Sequence, residues 1–415
     1  MPIPAPARFA RFLSFGARFL GFAALSVGLA TCGAESASPA TSGVDATSSD
    51  TTATSSDTTA TDAATADAGP TSKTLTFDVS KLGPHAVGYR AWDHTYNAPG
   101  GLGKRTIKLH MWYPATEAKG DNPLYGGLFL DPESFIDAPL APPVDATGYP
   151  VHTYSHGHQG FGGTSAFLMR AFASHGWVAI APDHVGNLLA DFKPPKASWL
   201  FYVRATDISA ALDALENLDK SDPMYGLART EKVLMSGHSF GVHTCWAVAG
   251  ATFDMAAIEA GCKTTSSPMP SGVCTAAELA VYKKGLRDPR VVASIPMAGS
   301  IDRQMFGATG PTSVKIPMLS MSGGKDPVGA DTQFASTSGV AMTWIDVAGA
   351  CHQSFALGSC GTLDKDLGFS VVRTYALAFG RRHVLADASA TVVGILAGTS
   401  PVSATVTFKH KDADQ

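Results

Sequence analysis

Residues 232–241 read Lys-Val-Leu-Met-Ser-Gly-His-Ser-Phe-Gly, and no other stretch constrains the fold so tightly. Val233, Leu234 and Met235 are an apolar, strand-like run. Gly237, Ser239 and Gly241 fit G-x-S-x-G, and 242–249 (VHTCWAVA) continue as a buried helix. Strand, sharp turn and helix in that order hold a serine in a strained conformation with its hydroxyl exposed. The flanking glycines are required because strand and helix pass too close for Cβ atoms. A serine hydroxyl is a poor nucleophile near neutral pH, so such a turn demands a base within hydrogen-bond reach and a group to orient that base.

Both stand later in the chain, each behind its own apolar run. Asp326 follows 316–321 (IPMLSM) in Ser-Gly-Gly-Lys-Asp-Pro, and His352 follows 342–347 (MTWIDV) in Ala-Gly-Ala-Cys-His. The order Ser, Asp, His sets each group at the carboxyl end of a predicted strand, where open α/β sheets carry their chemistry. Asp302, behind 291–297, is the rival acid. The backbone-permissive Gly-Gly-x-Asp turn favours Asp326. A tetrahedral intermediate also needs amide donors aimed at its oxyanion. The backbone N–H of Phe240 is one candidate, and that of His158, in the glycine-rich stretch HGHQGFGG (156–163), is the other. His152, His156 and His158 have the look of a metal cluster. His152 falls inside a strand, however, and no carboxylate or cysteine completes the set, so no metal is expected there or at Asp183-His184.

The chain has 415 residues, 45% hydrophobic and 16% charged, which suits a large buried core. Strands are predicted at 74–79, 106–113, 151–155, 177–181, 233–235, 291–297, 316–321 and 342–347, with a terminal strand at 404–409. Helices are predicted at 164–175, 199–218, 242–249 and 366–385, and 116–148 reads as surface loop. This alternation predicts an α/β fold built on a doubly wound, mostly parallel sheet. Residues 252–288 interrupt it with Gly, Pro, Ser and two Cys, as a small insertion.

The N-terminus reads as a targeting segment. Arg8, Arg11 and Arg18 precede the apolar stretch 19–30, which is too short to span a bilayer and fits a signal peptide over 1–32. Leu29-Ala30-Thr31-Cys32 resembles a bacterial lipobox, so Cys32 is a candidate lipid anchor, with plain secretion as the alternative. Residues 33–73 are Ser, Thr, Ala and Asp, with TSSDTTA twice in tandem, and read as a disordered tether to a domain at 74–415. The mature chain then has no transmembrane helix and is expected in the cell envelope or outside the cell, as a monomer. The net charge of −4, without a basic cluster past the first twenty residues, argues against nucleic acid as a partner. Of six cysteines, Cys262/Cys274 and Cys351/Cys360 are the economical disulfide pairs, the first pinning the insertion, and Cys245 reads as a buried free thiol.

The segments MWYPA (111–115), YSHGHQG (154–160), ASHGWVAIAPDHVGN (173–187), RATDISAALDAL (204–215), GHSFG (237–241) and CHQSF (351–355) resemble the α/β-hydrolase superfamily. Within it they look like the platelet-activating-factor acetylhydrolase and dienelactone-hydrolase-like branch, and more loosely like cutinase-like polyester hydrolases. The resemblance implies a Ser239–Asp326–His352 esterase without metal or organic cofactor, its oxyanion hole built from the loop after YSHG. It implies short-acyl esters or short-chain or oxidised phospholipids as substrates. It also sharpens the choice of acid, since Asp302 with Met305-Phe306 resembles the acetylhydrolase acid site and Asp326 the cutinase-like one. The insertion 252–288 departs from the family. Alternatives within the chemistry are a polyester hydrolase and an acyltransferase. Outside it stand a non-catalytic surface lipoprotein and a metal-dependent hydrolase.

Overall fold

A computed structural model describes residues 73–263, 274–356, 358 and 360–414. The signal-peptide, Cys32 and tether readings, and the tip of the insertion at 264–273, lie outside the described residues.

The sheet begins with a long antiparallel pair, β1 (Ala86–Ala98) and β2 (Gly103–Ala115), in register from Ala86 opposite Ala115 to Ala98 opposite Gly103. The expectation of a first strand at 74–79 is corrected here. Lys73–Thr76 is a 3-10 turn whose Lys73 N–H and Thr74 hydroxyl donate to the Asp145 carboxylate. The strand lies instead at β1, where polar residues alternate with half-buried ones over its outer half. Within 116–148, otherwise loop as expected, β3 (Leu124–Tyr125) and β4 (Phe129–Leu130) form a two-stranded hairpin, and β5 (Phe135–Ile136) adds parallel to β1 at the edge.

The interior of the sheet is parallel. β6 (Tyr149–Ser155) leads through α1 (Ala166–Ser174) to β7 (Val178–Pro182), and α2 (Leu200–Glu216) returns the chain to β8 (Ala228–His238), on the other side of β6. From there α3 (Phe240–Ala249) leads into α4 (Met255–Cys262) and α5 (Ala276–Lys284), which form the insertion and are tied by the Cys262–Cys274 disulfide. Thr275 and Glu278 form a capping box on α5, and the buried Glu278 also accepts from Ser198. Next come β9 (Val291–Met297), α6 (Arg303–Phe306), β10 (Met318–Gly323), α7 (Ala330–Ser336) and β11 (Met342–Val347). The chain closes with α8 (Lys365–Val384), α9 (Ala390–Leu396) and β12 (Val406–Lys411), the terminal strand expected near 404–409, which pairs antiparallel with β11.

The ten strands run β12-β11-β10-β9-β8-β6-β7-β2-β1-β5, with β6 through β11 parallel. Both faces of the centre are covered. Helices α2 and α3 bury one apolar layer with Trp246, and α1, α8 and α9 bury the other with Trp177. This explains why β6 and β7 are buried at every position instead of alternating. Burial of each large apolar side chain contributes about 1.5–3 kcal/mol. The winding reverses between β6 and β8, and that switch point opens a crevice at the carboxyl ends of the strands. Among the described residues no helix is long and apolar enough to cross a membrane.

Candidate active site

Ser239 stands between β8 and α3 at φ 55°, ψ −116°, left-handed backbone that a non-glycine residue adopts at a cost of about 1–3 kcal/mol. Its N–H donates to the Met297 carbonyl at 2.9 Å, which fixes the turn against the neighbouring strand. The two glycines permit the approach. A Cβ on Gly237 would sit 2.4 Å from the Gly241 oxygen, and one on Gly241 would sit 2.1 Å from the Ser155 oxygen. Both neighbours are backbone and cannot swing aside. Gly241→Ala is therefore expected to destabilise the fold by about 3 kcal/mol, read as a shift of the urea midpoint. A loss below about 0.5 kcal/mol, typical of a surface change, would mean that α3 can slide away from β6.

His352 follows β11, at the start of a 3-10 turn, His352–Phe355. Its Nδ1 lies 2.9 Å from Oδ2 of Asp326, in the turn after β10. The carboxylate side chain is 7% exposed and the imidazole 37%, so the pair is shielded on the acid side and open on the other. Asp326 is itself fixed by donation of its N–H to the Gly323 carbonyl at 2.8 Å. Ser239 and His352 line the same cavity, but no hydrogen bond joins them among the described residues. Catalytic contacts of this kind often tighten only when substrate is bound.

Two further features hold the His352 loop. Cys351, the preceding residue, is disulfide-bonded to Cys360. His238, the variable residue of the G-x-S-x-G motif, donates from Nε2 to the His352 carbonyl at 2.9 Å. Burial, with His352 close by, pushes His238 down to about 3, so it serves as a neutral donor.

Asp302 is brought to a different partner. Its Oδ2 stands 3.2 Å from Nδ1 of His243, an electrostatic approach and not an aligned hydrogen bond, and its Oδ1 accepts from the Met305 N–H at the start of α6. Burial works against the Asp302 carboxylate, yet His243, the Met305 N–H and Lys196 outweigh it and hold its pKa below the ordinary value.

The loop after β6 brings His158 to the cavity beside Phe240. Neither backbone N–H has a hydrogen-bond acceptor among the described residues, so both are free for an oxygen arriving at Ser239. Behind them lies a buried relay. Arg204 of α2 donates to Oδ1 of Asn187 at 2.7 Å, which turns the Asn187 amide group toward Nδ1 of His158, also at 2.7 Å. An accepting Nδ1 puts the His158 proton on Nε2. Burial, Lys196 and Arg204 push His158 down to about 4, so the ring is neutral at ordinary pH.

The other histidines are committed elsewhere. Nδ1 of His156 faces the Gly157 carbonyl at 2.7 Å and its Nε2 accepts from the His184 N–H at 3.0 Å, so both ring nitrogens are taken. His184 lies between Asp207 and Ser155, each at 2.9 Å, and His152 meets Ser236 inside the sheet at 2.8 Å. Asp183 accepts from the Gly162 N–H. Among the described residues no cluster of three or more His, Cys, Asp or Glu is placed to hold a metal.

The cavity measures about 530 Å³ and runs from Ser239 and His352 past Gly299 to His243, Asp302 and Lys196. Lys196 escapes sequence reading because it lies in a Pro-rich loop (193–196, KPPK) with no period to place it. Asn187 and Arg204 fall within segments quoted for the family resemblance, but nothing in their spacing reveals the relay.

No protein-family model matches the chain, and no curated protein matches it. Among solved structures it is similar to a ferulic acid esterase from Streptomyces cinnamoneus, with a TM-score of 0.53 and 18% identity over 78% of this chain and 96% of that one. At that identity the likeness bears on the fold. Together with the mostly parallel ten-stranded sheet and the turn at Ser239, it identifies the architecture as the α/β-hydrolase fold.

Proposed function

We propose that the chain is a serine carboxylester hydrolase. Oγ of Ser239 attacks the ester carbonyl carbon while Nε2 of His352 takes its proton. Asp326 holds the Nδ1–H tautomer and stabilises the imidazolium. The oxyanion is received by the N–H groups of His158 and Phe240. The imidazolium then protonates the departing alcohol, and water, activated by the same base, releases the acid and frees Ser239. The observation that carries the reading is His352, paired with Asp326 at 2.9 Å, lining one cavity with a serine on a strained strand-to-helix turn.

Short-acyl esters are the substrates, including short-chain phospholipids of the acetylhydrolase type. The supporting observation is the mixed cavity wall, where Lys196, Asp302, Arg303 and Gln304 stand among Phe240, Ile301 and Val328 and place charge within reach of a polar ester. The two disulfides accord with an exported enzyme.

The test is labelling of the purified protein with a fluorophosphonate, followed by peptide mass spectrometry. The expected adduct sits on Ser239 and is lost in His352→Ala. A folded protein that takes no label would point to a non-catalytic surface protein on the same fold.

A further inference from the structure

Lys196 is a cation in the cavity whose nearest contact is an aromatic face. Its ammonium sits 4.5 Å from the centroid of the Phe240 ring, the side chain immediately after Ser239, and among the described residues it makes no ion pair or hydrogen bond. The other charges lining the cavity are occupied. Asp302 faces His243 and caps α6, while Arg303 donates to the Ala308 carbonyl and to the Thr337 hydroxyl, each at 2.8 Å. On the same ring, His158 lies edge-on at 6.5 Å, with its proton placed on Nε2 by the Arg204–Asn187 relay. Two nitrogen donors, one of them charged, therefore flank the Phe240 side of the cavity.

We infer that this side is a subsite for an anionic oxygen group, a carboxylate or a phosphate, carried by the substrate close to its scissile ester, with Lys196 as the specificity-determining residue. The inference rests on the esterase reading and narrows it to anionic esters. A half-buried ammonium beside a second cation, Arg204, lacks its full hydration and gains most from an anion that displaces the remaining water. The charge balance agrees, because burial and Arg204 lower the Lys196 pKa from its ordinary value while Asp302 pulls it back only in part. Stacking over Phe240 restricts the side chain before the ligand arrives, which reduces the entropy lost on binding.

The experiment compares matched pairs of esters on the full-length protein. On the acyl side, para-nitrophenyl hemiglutarate is set against para-nitrophenyl hexanoate. On the alcohol side, phosphopropyl acetate is set against propyl acetate. In the parent protein the anionic member of at least one pair is expected to lead by about tenfold or more in kcat/KM, the range of a hydrogen bond to a charged group. Lys196→Met is expected to lower the anionic-to-neutral ratio by a similar factor, and Lys196→Arg to keep most of it. Added salt should erode the parent's preference. Which pair responds tells which side of the ester bears the anion. Equal turnover within both pairs, or a ratio that Lys196→Met leaves in place, overturns the subsite while leaving an esterase. Absence of turnover for every ester overturns the esterase reading and the subsite with it.

Discussion

Ser239→Ala is expected to lower kcat on a short para-nitrophenyl ester by about 10⁴- to 10⁶-fold while KM changes little. The size follows from what the substitution removes and what it leaves. On the esterase reading, loss of Oγ prevents the acyl-enzyme from forming, while the cavity lined by His158 and Phe240 is left in place to bind the ester. Stability separates this loss from a folding defect. Alanine at φ 55° is strained much as serine is, so the thermal midpoint of Ser239→Ala should stay near the parent's. Glycine adopts that conformation freely, so Ser239→Gly should be equally inactive and more stable by about 1 kcal/mol. Residual kcat within tenfold of the parent would assign the chemistry to another group.

The second large effect discriminates between two carboxylates. Asp326→Asn should lower kcat by about 10³- to 10⁴-fold, because an amide beside Nδ1 of His352 neither supports the imidazolium nor favours the productive tautomer. Asp302→Asn should cost tenfold or less. Asparagine still caps α6, and the Asp302 carboxylate faces His243 instead of His352. Measuring kcat for both variants on one ester decides the matter. The reverse ranking would make Asp302 the orienting acid, with His243 as an unforeseen member of the site.

Ser239, Asp326 and His352 are legible as candidates because each announces itself locally, as a reactive residue in a glycine-bearing turn behind an apolar run. The parallel sheet is legible for the same reason, since its strands are continuous apolar segments. The choice between Asp302 and Asp326 is not, because both follow adjacent strands and only the path of each loop shows which carboxylate meets which imidazole. Strand β1 is hard to see because its outer half carries Asp93, His94 and Thr95 on an exposed hairpin, while 74–79 has the alternation of a strand but no neighbour in the sheet to pair with. The relay from Arg204 through Asn187 to His158 joins three separate elements by side chains alone. Lys196 depends on Phe240, far along the sequence, for its position. Contacts of that kind leave no periodic trace.

The bond between Cys351 and Cys360 closes a loop of separation 9 whose second residue is His352. On the esterase reading, the general base is thus held by a covalent tie that exists only after two thiols have been oxidised. The tie begins at the residue immediately before His352, so it restrains the backbone that carries the imidazole and leaves the strands of the sheet untouched.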